Sequence, residues 1–443
     1  MTDMLYVGAS GVRAYQTAIG TTSENIANAG TVGYSRRAAT IREVPATNGL
    51  RMTGNGAFAS DVARSSDSYR VAEARVAHSD LARSEAGIVW LNRVESGLTG
   101  SKLDQRLTAF FNAAKAVAAD PAATAPRAVL LEQADALAGA FAATGASLAT
   151  AHEDLALTGR DAARDLADLG QALYKVNQGI ARASDGSAVK ATLLDERDRV
   201  LEAMSGLVDL GVEIDARGVA TVRAGGAGGP VLVDSAGASA IEFALSDSGT
   251  AAFTVLRFAG RELIPAHGGT LAGIVDGAQR LGDARAALDD MATAFVDGVN
   301  AVQAGGRDLD GNPGALLFTQ GDPPTNITRA LTSPRGVAAA AIGEGSRGNG
   351  NIAAFEALRA DGGFEASLAD LTTGNAAALA ARREVATAQG AIRDAAVAAR
   401  DAVSGVDLDE EAVNLIRFQQ AYQASSRVIQ VARETLQAIL DIR

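Results

Sequence analysis

An apolar recurrence every seven residues, present at both ends of the chain, limits what it can fold into more than any other feature. Near the C-terminus Leu408, Leu415, Tyr422, Ile429 and Leu436 keep this step. Phe418, Ala432 and Ile439 occupy a second position three residues later, a row interrupted by Glu411 and Ser425. Near the N-terminus Leu5, Val12, Ile19 and Ile26 keep the same step, with small or polar residues such as Gly8, Ala9, Gln16 and Thr22 between them. A period of seven marks one stripe along a helix, and two such stripes read as halves of one coiled coil. A stripe only one or two side chains wide cannot bury itself, and burial is worth about 1.5–3 kcal/mol per large apolar side chain. Spacing alone leaves two outcomes open: an intramolecular pair that closes one domain, or a surface for neighbouring subunits.

The stretch between the ends changes texture several times. Asn28–Tyr34 is dense in turn residues and should end the first helix. Residues 35–65 alternate loosely around Pro45, Asn48, Gly49, Gly54 and Gly56, which predicts short strands or a hairpin. Residues 66–119 read as helix, with Ile88, Leu91, Val94 and Leu98 on one face and Asp120-Pro121 as a stop. Helix is predicted again over 126–205. From residue 206 to about 267 short alternating runs, such as Leu207–Asp215, Val231–Val233 and Phe253–Leu256, predict a small β domain. Helix returns at 270–304. A Gly/Asp/Pro-rich loop fills 305–325, residues 326–375 are mixed, with a further loop at Gly343–Asn351, and an alanine-rich helix spans 376–404.

The predicted fold is mainly α with a small inserted β domain. Residues 1–45 and 405–443 pair as a terminal coiled coil, 46–205 and 268–404 form an inner helical bundle, and 206–267 form an outer β-rich domain. Alanine is abundant and aromatics are only 4 % of the 443 residues. Small side chains on helices predict thin, closely packed bundles over a bulky core.

Composition also narrows function. The net charge of −12 opposes nucleic-acid binding and association with anionic membranes. No cysteine is present, which excludes disulfides, thiolate metal sites and cysteine nucleophiles. The N-terminal run lacks the pattern of a secretory signal peptide, and no stretch of about 18 apolar residues predicts membrane insertion. His78, His152 and His267 are far apart. Asp308-Leu309-Asp310-Gly311-Asn312 briefly looks like a calcium loop, but Pro313 and Thr319 stand where that loop needs Gly and Glu. Gly225–Gly229 lacks the Lys-Ser/Thr of a phosphate loop. Asp195–Arg199 alternates charge, as a solvated or salt-bridged helix face does. No cofactor or metal is expected.

One run carries a resemblance. Ser23-Glu24-Asn25-Ile26-Ala27-Asn28-Ala29-Gly30-Thr31-Val32-Gly33-Tyr34 resembles the N-terminal signature of the flagellar axial family, which builds rod, hook and junction. Ser35-Arg36 continues it in the manner of the hook-associated, FlgK-type branch. Leu193–Leu201, Leu271–Ile274 with the helix that follows, the Asp308–Phe318 loop and Asn414–Ser425 are similar to the same branch. The chain looks short for that family, which implies a missing outermost domain.

The resemblance implies a structural subunit and no enzyme. It implies export through the flagellar type III apparatus, from the cytoplasm to the extracellular flagellum. There the subunit would form a ring at the hook–filament junction. Implied partners are other copies of the chain, the hook protein, the second hook-associated protein and an export chaperone holding the C-terminal helix. The termini would be disordered before assembly. On this reading Leu5, Val12, Ile19 and Ile26 pack against Leu408, Leu415, Tyr422, Ile429 and Leu436, with Phe418 beside them. Asn25, Ala27, Asn28, Thr31, Gly33 and Tyr34 complete the implied assembly residues. Gly33 is expected at positive φ, and Tyr34 is expected to anchor the turn. A hook or rod subunit, a secreted effector and a cytoplasmic helical scaffold stand as alternatives.

Overall fold

The computed structural model describes residues 2–44, 56–257 and 260–441. Pro45, Asn48, Gly49 and Gly54, on which part of the hairpin reading rested, lie outside the described residues. The chain opens with helix α1 (Thr2–Asn28). Strands β1 (Arg37–Glu43) and β2 (Ala57–Arg64) follow as an antiparallel ladder, with a register shift between Thr40 and Ile41.

The body is built on long helices. Asp67 caps α2 (Ser68–Gly100) by accepting from the Tyr69 and Arg70 amides. The predicted 66–119 helix is in fact two. Lys102 takes φ +54° and separates α2 from α3 (Leu103–Ala119). The predicted 126–205 helix is also two, α4 (Thr124–Arg182) and α5 (Ala188–Leu207). Gly186 at φ +71° makes the turn between them, and the Ser187 side chain restarts the helix by accepting from the Lys190 amide. Apolar spacing continues across both breaks, so period alone could not locate them.

The insertion comes next: β3 (Leu210–Ile214), β4 (Ala220–Ala224), β5 (Val231–Asp234), β6 (Gly237–Ala238), β7 (Ala240–Leu245), β8 (Ala251–Arg257) and β9 (Gly260–Leu263). These form two antiparallel sheets, ordered β3-β4-β5-β6 and β7-β8-β9. Helix α6 (Gly269–Ala304) returns to the body. Two short ladders fill the next stretch. β10 (Gly306–Arg307) pairs with β13 (Ala340–Ala341), and β11 (Phe318–Gln320) pairs with β12 (Ile327–Arg329). Helices α7 (Ala354–Gly362), α8 (Phe364–Ser404) and α9 (Leu408–Asp441) complete the chain.

Two large cores hold these elements. One joins α2, α4, α5 and α6 to the inner faces of the sheets. There Trp90, Leu166, Leu201 and Ile274 pack with Val222, Val233 and Phe253. The other lies among α2, α3, α4, α6 and α8. It gathers seven of the chain's twelve phenylalanines. Phe110 and Phe295 meet edge to face at 5.4 Å, and Phe111, Phe141, Phe318 and Phe364 all lie against Phe295. The expectation of a bundle without a bulky core is therefore corrected. The few aromatics are concentrated in one place, where large planar surfaces remove the most area from water.

Candidate assembly site

Helix α9 lies along α1, so the two ends of the chain meet. The face that α1 buries is made of its smallest residues: Gly8, Gly11, Ala14, Ala18, Thr21, Thr22 and Asn25. A Cβ on Gly8 would stand 2.7 Å from Ile429 Cγ1, and one on Gly11 would stand 2.7 Å from Ser425 Oγ. The backbones thus approach as closely as glycine permits. Tyr15 and Phe418 meet at the side of the seam, with ring centroids 6.5 Å apart.

This revises the predicted contact. Leu5, Val12, Ile19 and Ile26 are half-buried flanks of the seam and do not form its centre. Leu415, Phe418, Tyr422 and Ile429 are half-buried opposite them, but Leu408 and Leu436 are 53 % and 41 % exposed. Side-chain bulk dominates an apolar pattern, whereas closest approach selects the absence of bulk. Ser425, which interrupts the C-terminal heptads, faces Gly11 at one of the two close approaches to α1. The other interruption, Glu411, is 2 % exposed and pairs with Arg36, Nε to Oε1 at 2.7 Å.

That ion pair belongs to a neck joining the seam to the body. Asn25, 0 % exposed, is its hub. Asn25 Nδ2 donates to the Arg37 carbonyl at 2.8 Å. Its Oδ1 accepts from the Arg37 amide at 3.0 Å and from the Tyr34 hydroxyl at 2.8 Å. Asn28 and Thr31 shape the turn between: the Thr31 amide donates to the Asn28 carbonyl at 2.9 Å, and the Tyr34 amide to the Thr31 carbonyl at 3.2 Å. Gly33 has φ +78°, the left-handed region that favours glycine. Ala27 is exposed, and Val32 is 85 % exposed at the tip of the turn. Burial pushes the Tyr34 phenol up to about 12, against the pull of Arg37, whose guanidinium lies 4.9 Å over the ring.

Charged residues fix the neck to α5. Arg37 reaches Asp195 Oδ2 at 2.8 Å, and Arg64 reaches Asp195 Oδ1 and Asp198 Oδ2, each at 2.8 Å. Asp198 also takes Arg197 at 2.6 Å. The run Asp195–Arg199 was expected as a solvated or salt-bridged face. It splits instead: Glu196 and Arg199 pair near solvent, while Asp195 is buried beneath the arginines of β1 and β2 and Arg197 is buried against Asp198 and the Gly218 carbonyl. On the other side Arg36 also pairs with Glu410 at 2.7 Å, and its amide donates to the Ser404 carbonyl at 2.8 Å. Arg37, Arg64, Asp195 and Glu411 thus do work that periodicity did not single out. Two arginines in tandem before a strand, and an acid at a heptad core position, are the signals that point to them.

No group of three or more metal-binding side chains occurs among the described residues. In the Asp308 loop, Asp308 Oδ1 accepts from the Asp310 and Asn312 amides, and Asp310 pairs with Arg335, so the carboxylates serve the turn itself. No described helix is long and apolar enough to cross a membrane.

The paired ends are of a known class. Residues 5–34 match the family described as flagella basal body rod protein, and residues 401–442 match the C-terminal part of flagellar basal body rod FlgEFG proteins. Residues 91–318 match the helical domain of flagellar hook-associated protein FlgK. The chain belongs to the FlgK family of flagellar hook-associated proteins. It is 26 % identical to flagellar hook-associated protein 1 of Salmonella typhimurium over 73 % of this chain and 60 % of that protein. It is 25 % identical to its Escherichia coli namesake over 73 % of this chain and 61 % of that one. The alignment therefore spans less than two thirds of each relative. The flagellar hook junction protein FlgK from Burkholderia pseudomallei shares the fold. It superposes with a TM-score of 0.51 over 56 % of this chain and 47 % of that one, at 22 % identity.

Proposed function

We propose that the chain is a structural subunit of the bacterial flagellum, without enzymatic activity, that assembles as a ring joining hook to filament. The observation that carries this reading is the outer face of α9. Val413, Ile416 and Val431, which fall opposite the seam positions on the helix, are 56 % to 66 % exposed. A row of apolar side chains bound for solvent is costly, and neighbouring subunits would cover it. Residues 1–45 and 405–443 then form the inner tube. Residues 46–205 and 268–404 form the body, and 206–267 lie outside. The two heptad stripes and the Asn25–Tyr34 turn are the assembly residues. Neighbours are other copies, the hook protein and the second hook-associated protein. The chain leaves the cytoplasm through the flagellar type III apparatus, with an export chaperone on α9.

The test is electron microscopy of cells lacking the gene, with an assay for flagellin in the medium. Hooks without filaments, together with free flagellin, are expected. Normal filaments would overturn the proposal, and loss of hooks would reassign the chain to the rod or hook.

A further inference from the structure

An open groove of about 680 Å³ lies on the body among α2, α6 and α8. Its apolar lining is Gly87 and Leu91 of α2 with Ala378, Ala381 and Val385 of α8. Val385 is 47 % exposed. Arg83, Arg280 and Arg382 stand there against two carboxylates, Asp276 and Asp283. Asp276 is shared by Arg83 at 3.1 Å and Arg382 at 3.2 Å, and the Gln279 amide donates to Asp283 at 2.8 Å. Arg280 is exposed. The groove therefore carries a surplus of positive charge, in a chain whose net charge is −12.

The opposite pattern stands on α4. Asp154, Leu157, Asp161, Asp165 and Asp168 follow one another at steps of three or four residues, which places them on one helix face. That face points away from the core, because Gly159, Ala163, Leu166 and Gly170 are buried on the other side. Leu157 is 57 % exposed and is the large apolar side chain of this acidic ridge. Asp154 pairs with Arg93 at 3.6 Å and Asp161 with Arg164 at 3.2 Å. Both pairs lie near solvent, where such contacts are worth about 0–1 kcal/mol and can be exchanged for better ones.

Copies of a chain this acidic repel one another, so a contact between them forms where opposite charges are placed in register. We propose that the α4 ridge of one copy seats in the α2–α6–α8 groove of the next, a contact that rests on the ring reading above. Leu157 enters between Leu91 and Val385. Asp161 lies one turn further along α4, about 5.4 Å, and reaches Arg280, while Asp154 lies a turn back, by Arg382. Arg382 and Val385 are themselves about one turn apart on α8. Ridge and groove belong to different parts of the chain, so the contact is head to tail. Repetition of a head-to-tail contact closes into a ring or continues as a helix.

The experiment is done in assembled flagella. The chain has no cysteine, so introduced ones stand alone within it. The full chain carrying Leu157→Cys and Val385→Cys replaces the native gene, and isolated hooks with filaments are mildly oxidised. A disulfide requires Cα atoms within about 7 Å. A ladder of multimers is expected from the double variant, and monomer alone from either single variant. Asp161→Arg and Arg280→Asp are each expected to weaken the contact at least about tenfold, ~1.4 kcal/mol, and to release flagellin into the medium, whereas the two together restore filaments. A dimer in a single variant would mean that like surfaces meet, and a band holding another protein would give the groove a different occupant; either would overturn the proposal. So would monomer alone in the double variant, or normal filaments with both charge reversals, even where deletion of the gene leaves hooks without filaments and the ring reading stands. Normal filaments on deletion would overturn both.

Discussion

Asn25→Ala should loosen the neck without unfolding the body. The side chain holds both backbone polar groups of Arg37 and the Tyr34 hydroxyl. Tyr34 is half-buried, and water can replace its bond; Arg37 is buried, and water cannot. Truncation therefore strands one donor and one acceptor, at roughly 1–3 kcal/mol each. A combined loss of about 3 kcal/mol is roughly a hundredfold in the local opening constant. The assay is hydrogen exchange, read by mass spectrometry at the amides of the β1–β2 ladder, with those of α6 as an internal control. Asn25→Asp keeps an acceptor for the Arg37 amide but loses the donor, so roughly a tenfold change is expected from about 1.4 kcal/mol. A change of less than about threefold in β1 for Asn25→Ala, below about 0.7 kcal/mol, would refute the assignment of Asn25 as the hub. So would an equal loss of protection in α6.

Three further outcomes follow from other sites. Gly11→Leu puts a branched side chain where a Cβ alone meets Ser425 Oγ, and overpacking of about 1–3 kcal/mol should free α9; faster proteolysis within α9, with an unchanged body, is the readout. The folded Tyr34 phenol ionises near 12, above its ordinary value of 10.0, so its contribution is present below pH 10 and lost as pH rises towards 12. An absorbance titration of tyrosinate should show one late-ionising tyrosine that Tyr34→Phe removes. Phe295→Ala opens the phenylalanine cluster at its centre and should cost about 3–5 kcal/mol in urea unfolding of the body, whereas a loss below about 1 kcal/mol would mean that the cluster collapses around the gap.

Much of the fold was legible because period and composition report directly on helices and strands. The helix expected at 270–304 and the strand runs at Leu207–Asp215, Val231–Val233 and Phe253–Leu256 follow from spacing, whereas the arrangement of the insertion in two sheets does not. The breaks at Lys102 and Gly186 were not legible, because turns of two and five residues leave the apolar rhythm almost unchanged. The seam was legible in its existence but not in its register. Leu5, Val12 and Ile19 advertise a stripe, yet Gly8, Gly11 and Ala18 make the contact. A hydrophobic scale gives glycine no weight, although only glycine allows that approach. The neck was hidden for another reason. Arg37, Arg64 and Asp195 are charged residues far apart in sequence, and charge is ordinarily read as surface. Their burial depends on β1 and β2 folding across α5, which no local pattern encodes.

The separation of Arg36 from Glu411, 375 residues along the chain, carries a consequence for the order of folding. Closing so long a loop between free segments costs entropy that grows with the logarithm of its length. Once α2 and α8 have packed, the Arg36 amide already lies against Ser404, and only a few residues then separate that point from Glu411. The body therefore makes the seam inexpensive, and by the same coupling free energy the closed seam steadies the body. The hierarchy lies in the order of events. The terminal pair is the last part to form and the first to open, and α9 meets no competitor within its own chain until the body has closed.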